Sequence, residues 1–244
     1  MRTSPEELDK IAVEYHANVA VPDIHIENLC QEYFLRWLLP HIPASARVLE
    51  LGYGDGLVTA ALASHGCALT VLEGAKSLVE SAQRRHPNID CIYTLFEDYR
   101  PAGSYDVVLA SHVLEHVDDP ESMLRLQSTW LGPLGRLIIV VPNRNSLHRQ
   151  LAVTMGLQPE LDTLSKRDIM VGHKRVYSLP LLEADVVRAG LRVLETTGFF
   201  VKTLPNSMML DYSRELLWAL NLISSSVPKE LLANIAVIAS KDDA

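Results

Sequence analysis

Hydrophobic runs of strand length alternate with helical patterns through most of the chain. Val48, Leu49 and Leu51 form a short apolar run, and residues 57–64 follow it as an apolar-rich helix. The same alternation recurs downstream, which is typical of a parallel sheet covered by helices. It predicts strands at 47–51, 68–72, 89–94, 107–110, 136–142, 191–201 and 235–239, and helices at 5–16, 28–39, 57–64, 76–85, 122–131 and directly after Ser178.

The alternation fails in three parts of the chain. Residues 1–43 contain two predicted helices but no strand, with a linker at 17–26 that Pro22 interrupts. Residues 144–177 and 204–232 are too long for simple connections, so we interpret them as insertions.

Length and composition limit the classes of function. The chain has 244 residues, 48% of them hydrophobic, and a formal net charge of −8. This charge disfavours a nucleic-acid partner, since phosphate-tracking proteins carry basic surfaces. Three cysteines at no metal-like spacing indicate buried thiols in a reducing compartment. The charged first ten residues and the lack of a run long enough to span a membrane lead us to expect a cytoplasmic protein.

The first strand leads into a glycine-rich turn with unusual spacing. Gly52, Gly54 and Gly56 stand at alternate positions, and Glu50 precedes the first of them by two. A dinucleotide-binding turn would need its third glycine at Leu57, so a nicotinamide dehydrogenase is disfavoured. The pattern acidic-x-Gly-x-Gly-x-Gly resembles the first motif of class I S-adenosylmethionine (SAM)-dependent methyltransferases.

The resemblance extends over residues 47–143, in which four motifs keep the family's order. It implies a doubly wound, Rossmann-like α/β fold with seven strands, mostly parallel with the last strand reversed. We expect one SAM-dependent methyltransferase domain spanning 1–244. Residues 1–43 would form cap helices, and the insertions at 144–177 and 204–232 would form helical lids.

The resemblance also places the cofactor. A carboxylate at Glu50 can accept hydrogen bonds from the ammonium group of SAM. Glu73 ends the second strand 21 residues after Gly52, where an acid can accept both ribose hydroxyls. Phe96 would stack on adenine, with Glu97 or Asp98 accepting from its amine. The predicted cofactor-binding residues are Tyr15, Glu50, Gly52, Tyr53, Gly54, Gly56, Glu73, Gly74, Phe96, Glu97 and Ser111. The alternative for Tyr15 is that its aromatic side chain only packs the first helix against the rest of the protein.

The segment after the fourth strand supplies candidate bases. His112 directly follows the strand end and His116 lies four residues later. Imidazole titrates near neutral pH, so both are candidate catalytic bases. Quinone-biosynthesis O-methyltransferases have a similar Glu-x-x-Glu-His segment that can bind a divalent ion. Here the first acid is replaced by His112, which disfavours Mg²⁺, and we predict no metal.

The first insertion differs in charge from the rest of the chain. Residues 144–177 contain six basic side chains and three acidic ones. We predict that an anionic acceptor is bound here, by Arg144, Arg149, His173, Arg175 and Tyr177. The alternative is that these cations are solvated or paired with the insertion's own acids, Glu160, Asp162 and Asp168.

These features predict a SAM-dependent methyltransferase that acts on oxygen or nitrogen of a small, anionic metabolite and releases S-adenosyl-L-homocysteine. An inactive SAM-fold regulatory or scaffold protein is one alternative, and a nucleic-acid or protein methyltransferase is another. The expected partner is a small molecule, without nucleic acid or a membrane span. A homodimer is the oligomer we consider.

Overall fold

The computed structural model describes residues 3–16 and 23–242, with the side chains of Tyr15 and His16 excepted. Its strands are β1 Arg47–Leu51, β2 Ala68–Glu73, β3 Asp90–Tyr93, β4 Tyr105–Ser111, β5 Leu131–Pro142, β6 Leu191–Phe199 and β7 Asn234–Lys241. Its α-helices are α1 Pro5–Ile11, α2 Ile24–Leu38, α3 Leu57–Ser64, α4 Lys76–Arg85, α5 Pro120–Trp130, α6 Leu147–Thr154, α7 Lys166–Met170, α8 Leu179–Arg188 and α9 Arg214–Leu222. None of the described helices has the length and apolar composition needed to cross a bilayer.

All seven strands form one sheet in the order β3-β2-β1-β4-β5-β7-β6. Only β7 is antiparallel to its neighbours, so β1 to β6 run in one direction. This confirms the predicted doubly wound fold with a reversed last strand. The carboxyl ends of β1 to β6 therefore meet at one edge, where the chain order reverses between β1 and β4 and ligands bind in such sheets.

Helices bury both faces of the sheet. One core packs α5 and α8 against β4, β5 and β7, with Trp130 and Tyr177 among its fully buried side chains. The other packs α2, α3 and α4 against the opposite face, where Phe34 meets Phe199 at 5.4 Å between ring centres. The central strands are apolar on both sides for this reason, as the sequence pattern indicated.

Several boundaries differ from the sequence prediction, and two of the differences lie at the starts of elements. α2 begins at Ile24, inside the predicted linker, and β5 begins at Leu131 instead of residue 136. The Gly132–Gly135 stretch looks like a turn by composition, yet it lies within β5 beside a register shift between Tyr105 and Val107 of β4. Glycine in a strand often marks such an irregularity.

The first helix, α1, lies at the carboxyl end of β2. Asp9 of α1 accepts hydrogen bonds from the backbone and hydroxyl of Ser77 at 2.8 and 2.7 Å, which joins α1 to the first turn of α4. Leu8 lies against Gly74, at the end of β2. A residue with a Cβ at that position would displace Leu8, so Gly74 permits the close contact.

Gly198 provides a test of the packing at the end of β6. A Cβ there would lie 3.0 Å from the carbonyl oxygens of Lys229 and Asn234, which are backbone atoms that cannot move aside cheaply. We expect Gly198→Ala to lower the free energy of unfolding by about 1–3 kcal/mol in chemical denaturation. Gly103→Ala is the matched control, because its Cβ would meet only the flexible guanidinium of Arg47. Equal effects of the two substitutions would contradict this account.

Candidate functional site

The glycine loop follows β1 at the carboxyl edge of the sheet. Gly52, Gly54 and Gly56 have φ angles of +82°, +55° and +82°. These left-handed values strain any residue with a Cβ, which explains the spacing found in the sequence. A Cβ at Gly52 would meet no atom within 4 Å, so the backbone there borders open space in which a ligand can approach.

Tyr53 supports the loop from below. Its side chain is 3% exposed and packs in the core formed by α2, α3, α4 and the sheet. The ring lies where a Cβ on Gly56 would stand, so the tyrosine and the glycine fit one another. The predicted cofactor contact at Tyr53 is therefore limited to its backbone, because the ring faces the protein interior.

Glu50 is a carboxyl group that makes no ion pair within residues 3–16 and 23–242. It lies on β1, buried, and accepts a 2.7 Å hydrogen bond from the hydroxyl of Thr59. Burial raises the pKa of Glu50 from 4.5 to about 8, although the Thr59 bond opposes this. The group holds a proton near neutral pH until a cation such as an ammonium group approaches.

Glu73 joins the end of β2 to the glycine loop. Its two oxygens accept hydrogen bonds from the backbone nitrogens of Tyr53 at 2.9 Å and Ala75 at 2.7 Å. Burial raises the pKa of Glu73 in spite of these donors. Each carboxylate oxygen has a second lone pair, so the predicted contacts with ribose hydroxyls are compatible with this structural role.

The other predicted cofactor residues lie around this edge. Phe96 and Glu97 are half-buried in the 3-10 turn Phe96–Asp98 after β3, and Ser111 ends β4. The side chain of Tyr15 lies outside the described part of the structure. These assignments stay predictions.

His112 and Glu115 form a pair directly after β4. His112 has a left-handed backbone, with φ +56°, and its amide donates to the Val140 carbonyl at 2.8 Å. Its Nδ1 lies 3.0 Å from Oε1 of Glu115, which is completely buried, while the imidazole is 45% exposed. Burial alone would lower the pKa of His112, but the hydrogen bond and charge of Glu115 raise it. Nε2 is thus free to take up a proton.

His116 lies in a different environment. Its ring packs edge-on against His173 at 4.7 Å between ring centres. Burial, followed by the repulsion of His173 and His112, outweighs the charge of Glu115 and lowers the pKa of His116 to about 4. This makes His116 a poor base at neutral pH and favours His112 among the two predicted catalytic histidines.

Glu115, His116 and His173 are the residues of the described chain that could hold a metal ion. One ligand atom from each lies within 4.8 Å of the others, and Oε2 of Glu115 has no hydrogen-bond partner among the described residues. Nδ1 of His173 lies 3.1 Å from Asp168, an arrangement that orients metal-binding histidines. Two imidazoles with one carboxylate suit zinc or iron better than Mg²⁺.

Two of the arginines predicted to bind an anionic acceptor are used inside the protein. Arg149 is buried, forms a 2.8 Å ion pair with Asp168 and donates to the Thr163 carbonyl at 2.9 Å. Arg175 donates to the backbone carbonyls of Leu114, Val117 and Asp118. Their donors hold the first insertion and the loop after β4 in place, so the alternative of internal pairing fits both side chains better.

The other predicted acceptor residues have different surroundings. Tyr177 is fully buried, and its hydroxyl has no hydrogen-bond partner among the described residues. Arg144 lines a cavity of about 440 Å³ together with Glu160 and Asp162, whose charges disfavour an anion there. His173 faces Glu115 and Asp168. None of these surroundings favours a free anion.

Sequence reasoning missed two polar residues at the carboxyl edge. Lys202 lies just beyond β6, and His148 lies in the first turn of α6, beyond β5. Lys202 could have been found from its position in the sequence, because it directly follows the predicted sixth strand.

Glu50 predicts how stability depends on pH. Its folded-state pKa is raised, so its contribution to stability is complete below about pH 4.5 and is lost as the pH rises to about 8. A shift of this size corresponds to roughly 3–5 kcal/mol. We expect Glu50→Gln to be more stable than the unmodified protein at about pH 8, with a smaller difference at about pH 5, by urea denaturation. The exposed Glu80→Gln is the control. A difference that does not vary with pH would contradict the assignment.

The Arg149–Asp168 pair predicts a second stability effect. Arg149→Met leaves a buried carboxylate without its cation, which should lower the free energy of unfolding by about 3–5 kcal/mol. Arg144→Met serves as the control, since that guanidinium makes no ion pair within the described residues. A comparable loss in both variants, measured by chemical denaturation, would argue against a structural role for Arg149.

The chain was compared with known proteins. A family model described as "Methyltransferase domain" matches residues 23–196. Ubiquinone biosynthesis O-methyltransferase from Xanthomonas axonopodis pv. citri is 32% identical over 181 residues, which cover 71% of this chain and 74% of that protein. The enzyme of the same name from Coxiella burnetii is 29% identical, with 69% and 72% covered.

Solved structures show the same fold. The N-methyltransferase NodS from Bradyrhizobium japonicum, in complex with S-adenosyl-L-homocysteine, matches with a TM-score of 0.62 and 14% identity, covering 99% of this chain and 100% of that one. A SAM-dependent methyltransferase from Mesorhizobium loti matches with a TM-score of 0.62 and 16% identity, covering 88% and 99%. The chain therefore belongs to the methyltransferase-domain family and is a SAM-dependent methyltransferase.

Proposed function

We propose that this methyltransferase transfers the methyl group of SAM to a hydroxyl oxygen of a small molecule. The observation that carries this proposal is the His112–Glu115 pair at the carboxyl end of β4, next to the switch point of the sheet. The relatives named O-methyltransferases support it.

The proposed mechanism assigns a role to each member of the pair. SAM supplies an activated methyl group, whose carbon–sulfur bond breaks with its electron pair passing to sulfur. The acceptor hydroxyl gives its proton to Nε2 of His112 as its oxygen forms the new bond to carbon. Glu115 holds Nδ1 and stabilises the imidazolium that results. The protein otherwise contributes alignment of the acceptor with the methyl group.

Oxygen is favoured over nitrogen as the acceptor atom by the presence of this base. A neutral amine already has a free electron pair, whereas a hydroxyl becomes a strong nucleophile only as it loses its proton. The raised pKa of His112 makes the imidazole a stronger base for that step. The His112–Glu115 pair therefore favours a hydroxyl oxygen over an amine nitrogen as the methyl acceptor.

The alternatives are less consistent with the site. An inactive scaffold would not need Glu50, Glu73 and His112 to remain together at one edge, and the acidic chain disfavours a nucleic-acid acceptor. A cytoplasmic location and a homodimer stay predictions.

Substitution of His112 tests the proposal. We expect His112→Ala to lower turnover by about 10²–10⁴-fold while the affinity for SAM barely changes, because the base acts on the acceptor. Glu115→Gln, which keeps the volume but removes the charge, should cause a smaller loss. Turnover should rise with pH through the raised pKa of His112, since only neutral imidazole accepts a proton.

The assay follows release of S-adenosylhomocysteine with a panel of phenols, catechols and aliphatic alcohols, and calorimetry measures the affinity for SAM. Turnover of His112→Ala at the level of the unmodified protein would overturn the base assignment. Methylation of amines alone would overturn the choice of oxygen.

A further inference from the structure

The chain leaves β6 through a strained turn. Phe200 has a left-handed backbone, with φ +68°, which is unfavourable for a residue with a bulky side chain. Its amide donates to Ser224 at 3.0 Å, and its carbonyl accepts from the amides of Ala233 and Lys202, each at 2.9 Å. These bonds hold the left-handed conformation of Phe200, which directly follows β6 and lies two positions before Lys202. Strain that is held this firmly is common at functional sites.

Lys202 is a half-buried ammonium group at the carboxyl end of β6. The acids whose charges act on it are Glu27 of α2 and Asp23, the residue before that helix. Both carboxylates are already bound by Arg167 and Asn206. Among the described residues, Lys202 makes no ion pair and no side-chain hydrogen bond. Such a group is costly in the free protein, and an anionic ligand would offset the cost.

His148 provides a second donor nearby. Its Nδ1 is buried and has no hydrogen-bond partner among the described residues. Burial, followed by the positive charge of Lys202, lowers the pKa of His148 to about 2, so the ring is neutral. A neutral imidazole can donate one hydrogen bond without adding repulsion. An ammonium group and an imidazole that follow two strands at the same edge of the sheet offer the kinds of donor that bind the two oxygens of a carboxylate.

The two residues lie beyond the carboxyl ends of two strands of the sheet. His148 follows β5 and Lys202 follows β6, on the far side of β4 from the glycine loop and Glu73. The facing surface of α2 borders the same cleft, because Gln31 donates to Asp55 of the glycine loop at 3.3 Å. Neighbouring strands are about 4.8 Å apart, so β5 lies roughly 10 Å from β1.

We propose that Lys202 and His148 bind a carboxylate of the methyl acceptor, which makes the acceptor a hydroxylated organic acid. This deepens the proposed function and rests on it. It also keeps the anionic acceptor predicted from the sequence but moves its binding site from Arg149 and Arg175, whose donors are used internally.

Paired probes that differ in one charge test the proposal. The protein, saturated with S-adenosylhomocysteine, is titrated by calorimetry with lactate and lactamide, and with meta-hydroxybenzoate and meta-hydroxybenzamide. We expect at least one acid to bind about tenfold or more tightly than its amide, since a charged hydrogen bond is worth that much or more. Lys202→Met should remove the preference and Lys202→Arg should keep it. Lys166→Met, an exposed lysine in the first insertion, should retain it fully.

The outcomes separate the two proposals. Lack of a preference for both acids in the unmodified protein, or a preference that survives in Lys202→Met, would overturn this inference. Lost affinity for SAM in Lys202→Met would also overturn it, because the lysine would then bind the cofactor's own carboxylate. Methylation of a neutral hydroxyl compound without any preference for acids leaves the O-methyltransferase proposal standing and this inference wrong. A preference for acids that depends on Lys202, found without any methylation of oxygen, would support the carboxylate site and overturn the O-methyltransferase proposal.

Discussion

A buried carboxyl group must receive hydrogen bonds and a nearby positive charge, or it keeps its proton. Three acids at the carboxyl edge of this sheet satisfy that constraint in different ways. Glu73 is held by two backbone amides, Glu115 by an imidazole, and Glu50 by a single hydroxyl. Glu50 is consequently the group that a cationic cofactor changes most, while the other two fix the loops around it. The site therefore combines two carboxyl groups that are already held by the protein, Glu73 and Glu115, with one that can respond to a bound cation, Glu50.

The same constraint explains the positive charge of the first insertion. Arg149 neutralises Asp168, which in turn faces His173, and Arg167 joins the insertion to the start of α2. Arg175 donates hydrogen bonds to backbone carbonyls of the loop that carries Glu115. These internal contacts use the donors of Arg149, Arg167 and Arg175, whereas Lys202, outside the insertion, makes no ion pair among the described residues. Net charge of a segment therefore says little about where an anion binds until the internal pairs are known.

Local features of the sequence were sufficient for most of the fold. The apolar runs and the glycine spacing predicted β1, α3 and α4, because each depends on neighbouring residues. The reversed last strand was implied by the resemblance to the family. The start of β5 was missed, since Gly132 and Gly135 look like a turn unless the pairing with β4 is known. The long-range ion pairs and hydrogen bonds could not be predicted from the sequence either, because their partners lie far apart along the chain. Arg175 and Leu114 are 61 residues apart, and Arg167 and Asp23 are 144 apart.

The two histidines of the His-x-x-x-His segment show why site chemistry needs the folded environment. They lie four residues apart, and the sequence makes both candidate bases, with His112 directly after the strand end. In the structure, His112 adopts a left-handed backbone that exposes its ring and aims Nδ1 at Glu115, whereas His116 is buried against His173. The pKa values consequently move in opposite directions. Phe200, directly after β6, has the same left-handed backbone. Left-handed residues therefore stand at the carboxyl ends of both β4 and β6, and the hydrogen-bonded sheet supplies the fixed frame against which their strain is held.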